Sequence, residues 1–147
     1  MREAWYAKIW AKRSGVTFAV SFVSALTIDK QGINPSIRLA LARGLKKLSP
    51  NPKRVRVLLD GGLKAPHEYT DQETIIRWDA KETIIAIASV VAKVKRDRLM
   101  MRLDKKYPEY GFDRHVGYGT PKHILAIKKH GPTLLHRKTF CKNILPV

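Results

Sequence analysis

The chain has 147 residues, 44% of them hydrophobic, enough to bury a core and too apolar for a disordered chain. Lysine and arginine total 29 against 12 acids, a formal net charge of +17 that points to polyanionic partners, nucleic acid first. One cysteine excludes an internal disulfide and a cysteine-rich zinc site, and no apolar run is long enough to span a bilayer.

The opening residues read as a helix from Arg2 to Lys12 ending near Gly15. They lack the apolar block of a secretory leader, and the expected location is the cytoplasm. The five histidines show no ligand-like spacing. Val16 to Ser24, VTFAVSFVS, is β-branched and aromatic with partial alternation, which predicts a strand. Asn34 followed by Pro35 predicts a helix N-cap, with SIRLALARGLKKL as the helix. VRVLLDGG predicts a strand from Val55 to Leu59 and a glycine break. ETIIRWD predicts a further short strand. A long helical pattern follows from Lys81, closed by Pro108, and Thr120 with Pro121 opens another helix that ends near Gly131. Strands alternating with helices, with no repeat or linker, predict a single α/β domain over residues 1–147 with a partly parallel sheet.

In so basic a chain the acids are informative. Asp60 ends the strand VRVLLD and precedes Gly61 and Gly62. Ligands of open α/β sheets gather outside the carboxyl ends of strands, so Asp60 suits a divalent cation or a catalytic role; capping a turn is the alternative. Asp97, in KVKRDR, shares a helix side with Val90, Lys93, Val94 and Met101, bordering a buried stripe. It suits either an ion pair with Lys93 or half of a carboxylate cage for a hard cation. RHVGYGTPKH sets Tyr118 between Gly117 and Gly119 amid basic groups, either as a tight turn or as an aromatic face offered to a ligand.

LLDGG, ASVVAKVKRDRLM, YPEYGFDRHVGYGTPKH and HRKTF, in that order, resemble the later motifs of the ribonuclease HII family. The resemblance covers most of the chain. It implies a ribonuclease H-like sheet flanked by helices, with residues from about 107 to 147 as a helical substrate-binding extension. It also implies a Mg²⁺- or Mn²⁺-dependent endoribonuclease. Its substrates would be RNA–DNA hybrids and duplex DNA with an embedded ribonucleotide, cut on the 5′ side to leave 3′-hydroxyl and 5′-phosphate ends. Asp60 and Asp97 match the family's metal-binding, catalytic acids. Tyr118, with Gly117, matches the tyrosine that packs on the deoxyribose beside the ribonucleotide, and Lys93 and Arg137 fall at family-like basic positions that suit either phosphate contact or local ion pairing.

The family's adjacent Asp-Glu pair and Gly-Arg-Gly run are not in this sequence, where no two acids are adjacent. The expectation is therefore an N-terminally truncated member lacking its first strands. Such a chain should cleave weakly or not at all by itself, with an uncovered sheet edge that favours self-association. A non-catalytic nucleic-acid-binding remnant is the alternative from another class, and a ribosomal-type protein a third. No membrane partner is expected.

Overall fold

The computed structural model describes residues 16–49, 51–75 and 83–144. The helix expected over Arg2–Lys12 and residues 76–79 of the strand expected in ETIIRWD lie outside them. The chain divides into two compact units, one from Met1–Val23 and Asn34–Ala92, the other from Ser24–Ile33 and Lys93–Val147. The architecture is mixed α/β, with a small parallel sheet and helices.

The first unit holds helix α2 (Ile33–Leu48) from Asn34 onward, and strands β1 (Val57–Asp60) and β2 (Gln72–Ile75). The strands pair in parallel, Val57 opposite Gln72 through Asp60 opposite Ile75. Period-two alternation sends Val57 and Leu59 inward, where they join Ala65 and Tyr69. Leu41, Leu45, Val55 and Leu63 pack against this cluster.

A parallel pair needs a crossover, and here the crossover loop is held by side chains of β2 rather than by a helix of its own. Gln72 accepts from the Ala65 amide at 2.8 Å and donates to the Tyr69 carbonyl at 2.8 Å. Thr74 donates to the Leu63 carbonyl at 3.0 Å, and the Tyr69 hydroxyl to the Ser49 carbonyl at 3.1 Å.

Two expectations are corrected in this region. Residues 16–24 form no strand; the sheet among the described residues has β1 and β2 alone. β-branched composition favours extended backbone, but a strand exists only where a ladder forms, and this segment enters none. Helix α2 begins at Ile33, ahead of the expected Asn34 cap. Pro35 is accommodated in the first turn, where an amide hydrogen has no intrahelical acceptor to lose.

The second unit begins with α1 (Ala25–Gln31), capped by Ser24, whose hydroxyl oxygen accepts from the Thr27 amide at 3.1 Å. The long helix α3 (Thr83–Lys106) runs through both segments, its residues from Lys93 belonging to this unit. Short helix α4 (Phe112–His115), then α5 (Pro121–His130) and α6 (Lys138–Cys141) complete it. The expected Thr120 cap is present: its hydroxyl oxygen accepts from the His123 amide at 3.3 Å, with Pro121 leading the helix and Gly131 ending it.

The core is Tyr110, Phe112, Ile127 and Cys141, with Met100, Leu103 and Tyr107 packed on it. Asp29 of α1 clamps the start of α6. It accepts from the Lys138 amide at 2.7 Å, the Thr139 amide at 3.1 Å and the Thr139 hydroxyl at 2.5 Å. These bonds, that from the Thr139 hydroxyl above all, hold the carboxyl below its ordinary range.

Candidate functional site

Asp60 lies in the first unit, exposed, as the last residue of β1. The chain leaves the strand through Gly61 at φ 66°, a left-handed conformation that explains the glycine; its amide donates to the Ile75 carbonyl at 3.2 Å. A Cβ at Gly61 or Gly62 would meet no atom of the described residues within 4 Å, so conformation rather than space accounts for the glycine at 61.

Asp97, Lys93, Gly117, Tyr118 and Arg137 lie in the second unit. Asp97 is half-buried, and its Oδ1 accepts from Arg96 Nη2 at 3.1 Å and Nε at 3.2 Å. The stripe expected beside it is displaced: Val90 and Met101 are exposed, and the core-packing residues of this part of the helix are Met100 and Leu103. At 100° per residue a face shifts by one position at small cost to the sequence pattern.

Arg96 also joins Asp97 to the aromatic loop. Its Nη1 donates to the Tyr118 hydroxyl oxygen at 3.1 Å, and its guanidinium carbon stands 5.0 Å from the ring centroid. The bond to Tyr118 chiefly, and that to Asp97 next, raise the guanidinium's pKa further and keep it charged. Acid, arginine and tyrosine thus form one connected set. Sequence periodicity favours pairs three or four residues apart, so it pointed to Lys93 and gave no signal for Arg96 as the link.

Tyr118 leaves 60% of its surface exposed although its backbone is held firmly. Its amide donates to the His115 carbonyl at 2.8 Å and its carbonyl accepts from the Thr120 amide at 2.8 Å. Val116 and Gly117 both take left-handed backbone, at φ 44° and 86°. A Cβ at Gly117 would approach Met100 Cε to 3.1 Å, so conformation and space both favour glycine there. Arg137 precedes α6 with its guanidinium carbon 3.8 Å from the Phe140 ring centroid, and Lys93 is exposed on α3.

Sequence spacing missed a cluster beneath this loop. His115, His123 and His136 are buried; the first two rings stack at 4.2 Å between centroids, and the Nε2 atoms of His123 and His136 stand 3.1 Å apart. Burial first, and neighbouring histidines besides, lower the pKa values of His123 and His136.

The carboxylates of Asp60 and Asp97 offer the hard oxygen donors that suit Mg²⁺ or Mn²⁺. Among the described residues no group of three or more His, Cys, Asp or Glu side chains is placed to hold a metal ion.

A basic α/β chain with a carboxylate at a strand tip and an acid–arginine–tyrosine set on its second unit belongs to a definable class of folds. A family model described as ribonuclease HII matches residues 3–143. The chain is 44% identical over 139 residues to a ribonuclease HII of Geobacillus kaustophilus (strain HTA426), covering 95% of this chain and 51% of that protein. It is 46% identical over 140 residues to one of Synechococcus sp. (strain WH7803), covering 95% and 67%. With one of Chlamydia pneumoniae it shares 42% identity over 125 residues, 85% of this chain and 56% of that one. The chain belongs to the ribonuclease HII family. It spans about half to two thirds of the length of these curated relatives.

Proposed function

We propose that this chain grips RNA–DNA hybrids and DNA duplexes carrying an embedded ribonucleotide, for 5′-side hydrolysis leaving 5′-phosphate ends. The observation that carries the reading is the Arg96 bridge, which sets a carboxylate beside an exposed aromatic ring. Tyr118 packs on the deoxyribose next to the ribonucleotide, where a snug ring separates DNA from RNA by the absence of a 2′-hydroxyl. Lys93 and Arg137 contact phosphates, and the net charge of +17 supplies sequence-independent attraction that falls steeply with salt.

Asp60 and Asp97 would hold Mg²⁺ or Mn²⁺. When bound, such ions supply an activated water and charge stabilisation at the departing oxygen. Because these two acids alone do not furnish a two-ion centre, the chain by itself binds the duplex and cuts it slowly or not at all. The test pairs two measurements on one labelled duplex with a single embedded ribonucleotide. Anisotropy should show binding tighter than to the same duplex with a second ribonucleotide on the 3′ side, where a 2′-hydroxyl would face the Tyr118 ring, and gels with Mg²⁺ or Mn²⁺ should show little nicking. Equal affinity for both duplexes would remove the substrate reading; rapid nicking would remove the claim of weak catalysis.

A further inference from the structure

Of the three buried histidines, His123 and His136 hydrogen-bond to each other while His115 stacks on His123, and the proton positions of all three follow from two groups that can only donate. The Gly117 amide points at His115 Nδ1, 3.2 Å away, so that nitrogen is unprotonated and the His115 proton is on Nε2, facing the Tyr110 carbonyl at 2.8 Å. The Thr133 amide points at His136 Nδ1, 3.0 Å away, so the His136 proton is on Nε2. The Thr133 hydroxyl, 2.9 Å from the same Nδ1, accepts from the Leu135 amide at 3.2 Å and donates to the imidazole. His136 Nε2–H therefore donates to His123 Nε2 at 3.1 Å, which leaves the His123 proton on Nδ1, donated to the Tyr118 carbonyl at 2.9 Å. Every ring nitrogen is satisfied and each ring is neutral. A further proton on any of them sets two donors against each other.

We propose that His123, oriented by His136, is a positioning residue for Tyr118, and that the relay holds the tyrosine only while its imidazoles are uncharged. The inference rests on the substrate reading for Tyr118 given above. His115 and His123 grip the loop from either side of that residue, one through the Gly117 amide and the other through the Tyr118 carbonyl. The backbone is fixed while the ring stays in solvent, so the aromatic face is preorganised before a sugar arrives. Thr133, in the loop after α5, anchors the far end.

Among the described residues, the groups packed on His123 and His136 include no carboxylate that acts on either ring. Phe112 of α4 presents its ring 5.5 Å from His123 and 5.7 Å from His136. Tyr110, from the turn before α4, lies 5.1 Å from His136, and its hydroxyl donates to the Gly131 carbonyl at 2.6 Å. Cys141 of α6 belongs to the same core, and burial raises its thiol pKa, so it stays neutral. The charges that act on His123 and His136 are those of other histidines, which oppose protonation.

The test uses the whole chain. Long-range ¹H–¹⁵N spectra at about pH 7.5, above the ordinary histidine range, should show His115 and His136 as Nε2–H tautomers and His123 as the Nδ1–H tautomer. Any other pattern overturns the relay without reference to substrate or to a mutant's folding. The second arm compares His123→Asn, whose amide keeps a donor near the Nδ1 position, with His123→Leu, which has none. Loss of the bond should cost His123→Leu about tenfold in its preference for the duplex with one embedded ribonucleotide over the duplex with two in succession, with most of it recovered in His123→Asn. Equal behaviour of the two variants overturns the positioning role. Tyr118→Ala in the same assay separates the two claims: if it leaves the preference unchanged, the substrate reading fails, and the spectra still judge the relay.

Discussion

Arg96 is the residue on which geometry and charge can be told apart. Its guanidinium makes three N–H contacts at 3.1 to 3.2 Å, two to Asp97 Oδ1 and one to the Tyr118 hydroxyl. Its side chain is 37% exposed, so each contact is discounted by solvent from the value of a buried charged hydrogen bond. Arg96→Ala should therefore cost about 1–2 kcal/mol in binding a ligand that uses Tyr118, roughly a 5- to 30-fold weakening. Arg96→Lys is the sharper perturbation. It keeps the charge, but one ammonium cannot reach both the carboxylate and the phenol as a planar fork can. Anisotropy titrations across a salt series should then show an unchanged salt slope with most of the Ala loss retained. A lysine variant binding as tightly as the parent would show that charge alone matters and that the planar bridge from Asp97 to Tyr118 is dispensable.

Four further outcomes are expected. Mn²⁺ should broaden NMR signals around Asp60, and Asp60→Asn should abolish that broadening while leaving duplex affinity within about twofold, since Asp60 opposes rather than aids a polyanion. Gly117→Ala should lower the unfolding free energy by about 1–2 kcal/mol in urea titrations, because φ 86° and Met100 at 3.1 Å both oppose a Cβ. Tyr110→Phe leaves the Gly131 carbonyl without the buried hydroxyl's bond at 2.6 Å; a loss of about 1 kcal/mol, or roughly 3–5 °C in the melting temperature, should be read by circular dichroism. His123 and His136 have depressed folded pKa values, so the unfolded chain takes up protons first on acidification. Their contribution is complete above the ordinary histidine value of about 6.5 and is lost as pH falls through the lower folded values, which urea midpoints across that range should record.

The sequence was legible where local chemistry decides. Proline after a threonine cap placed α5, a glycine break placed the end of β1, and apolar periodicity closed by Pro108 placed α3. It failed where distant partners decide. The segment 16–24 has strand composition and no ladder, and neither α1 nor α6 carries a strong enough pattern to stand out. The same divide runs through the site. Asp60, Gly117 and Tyr118 stood out by their neighbours in the chain. Arg96 acquires its meaning from a tyrosine 22 positions away, and His123 from a histidine 13 positions away. Spacing written for metal ligands could not find histidines that bind one another.

The Asp29 clamp bears on how the molecule is made. It joins positions 109 and 110 residues apart. Closing so large a loop is entropically slow, and on a ribosome the aspartate emerges long before Lys138 and Thr139 exist. Until that late encounter the three bonds that Asp29 accepts from the start of α6 are missing from the nascent chain. Assembly of this half of the chain must therefore be among the last events of its biogenesis.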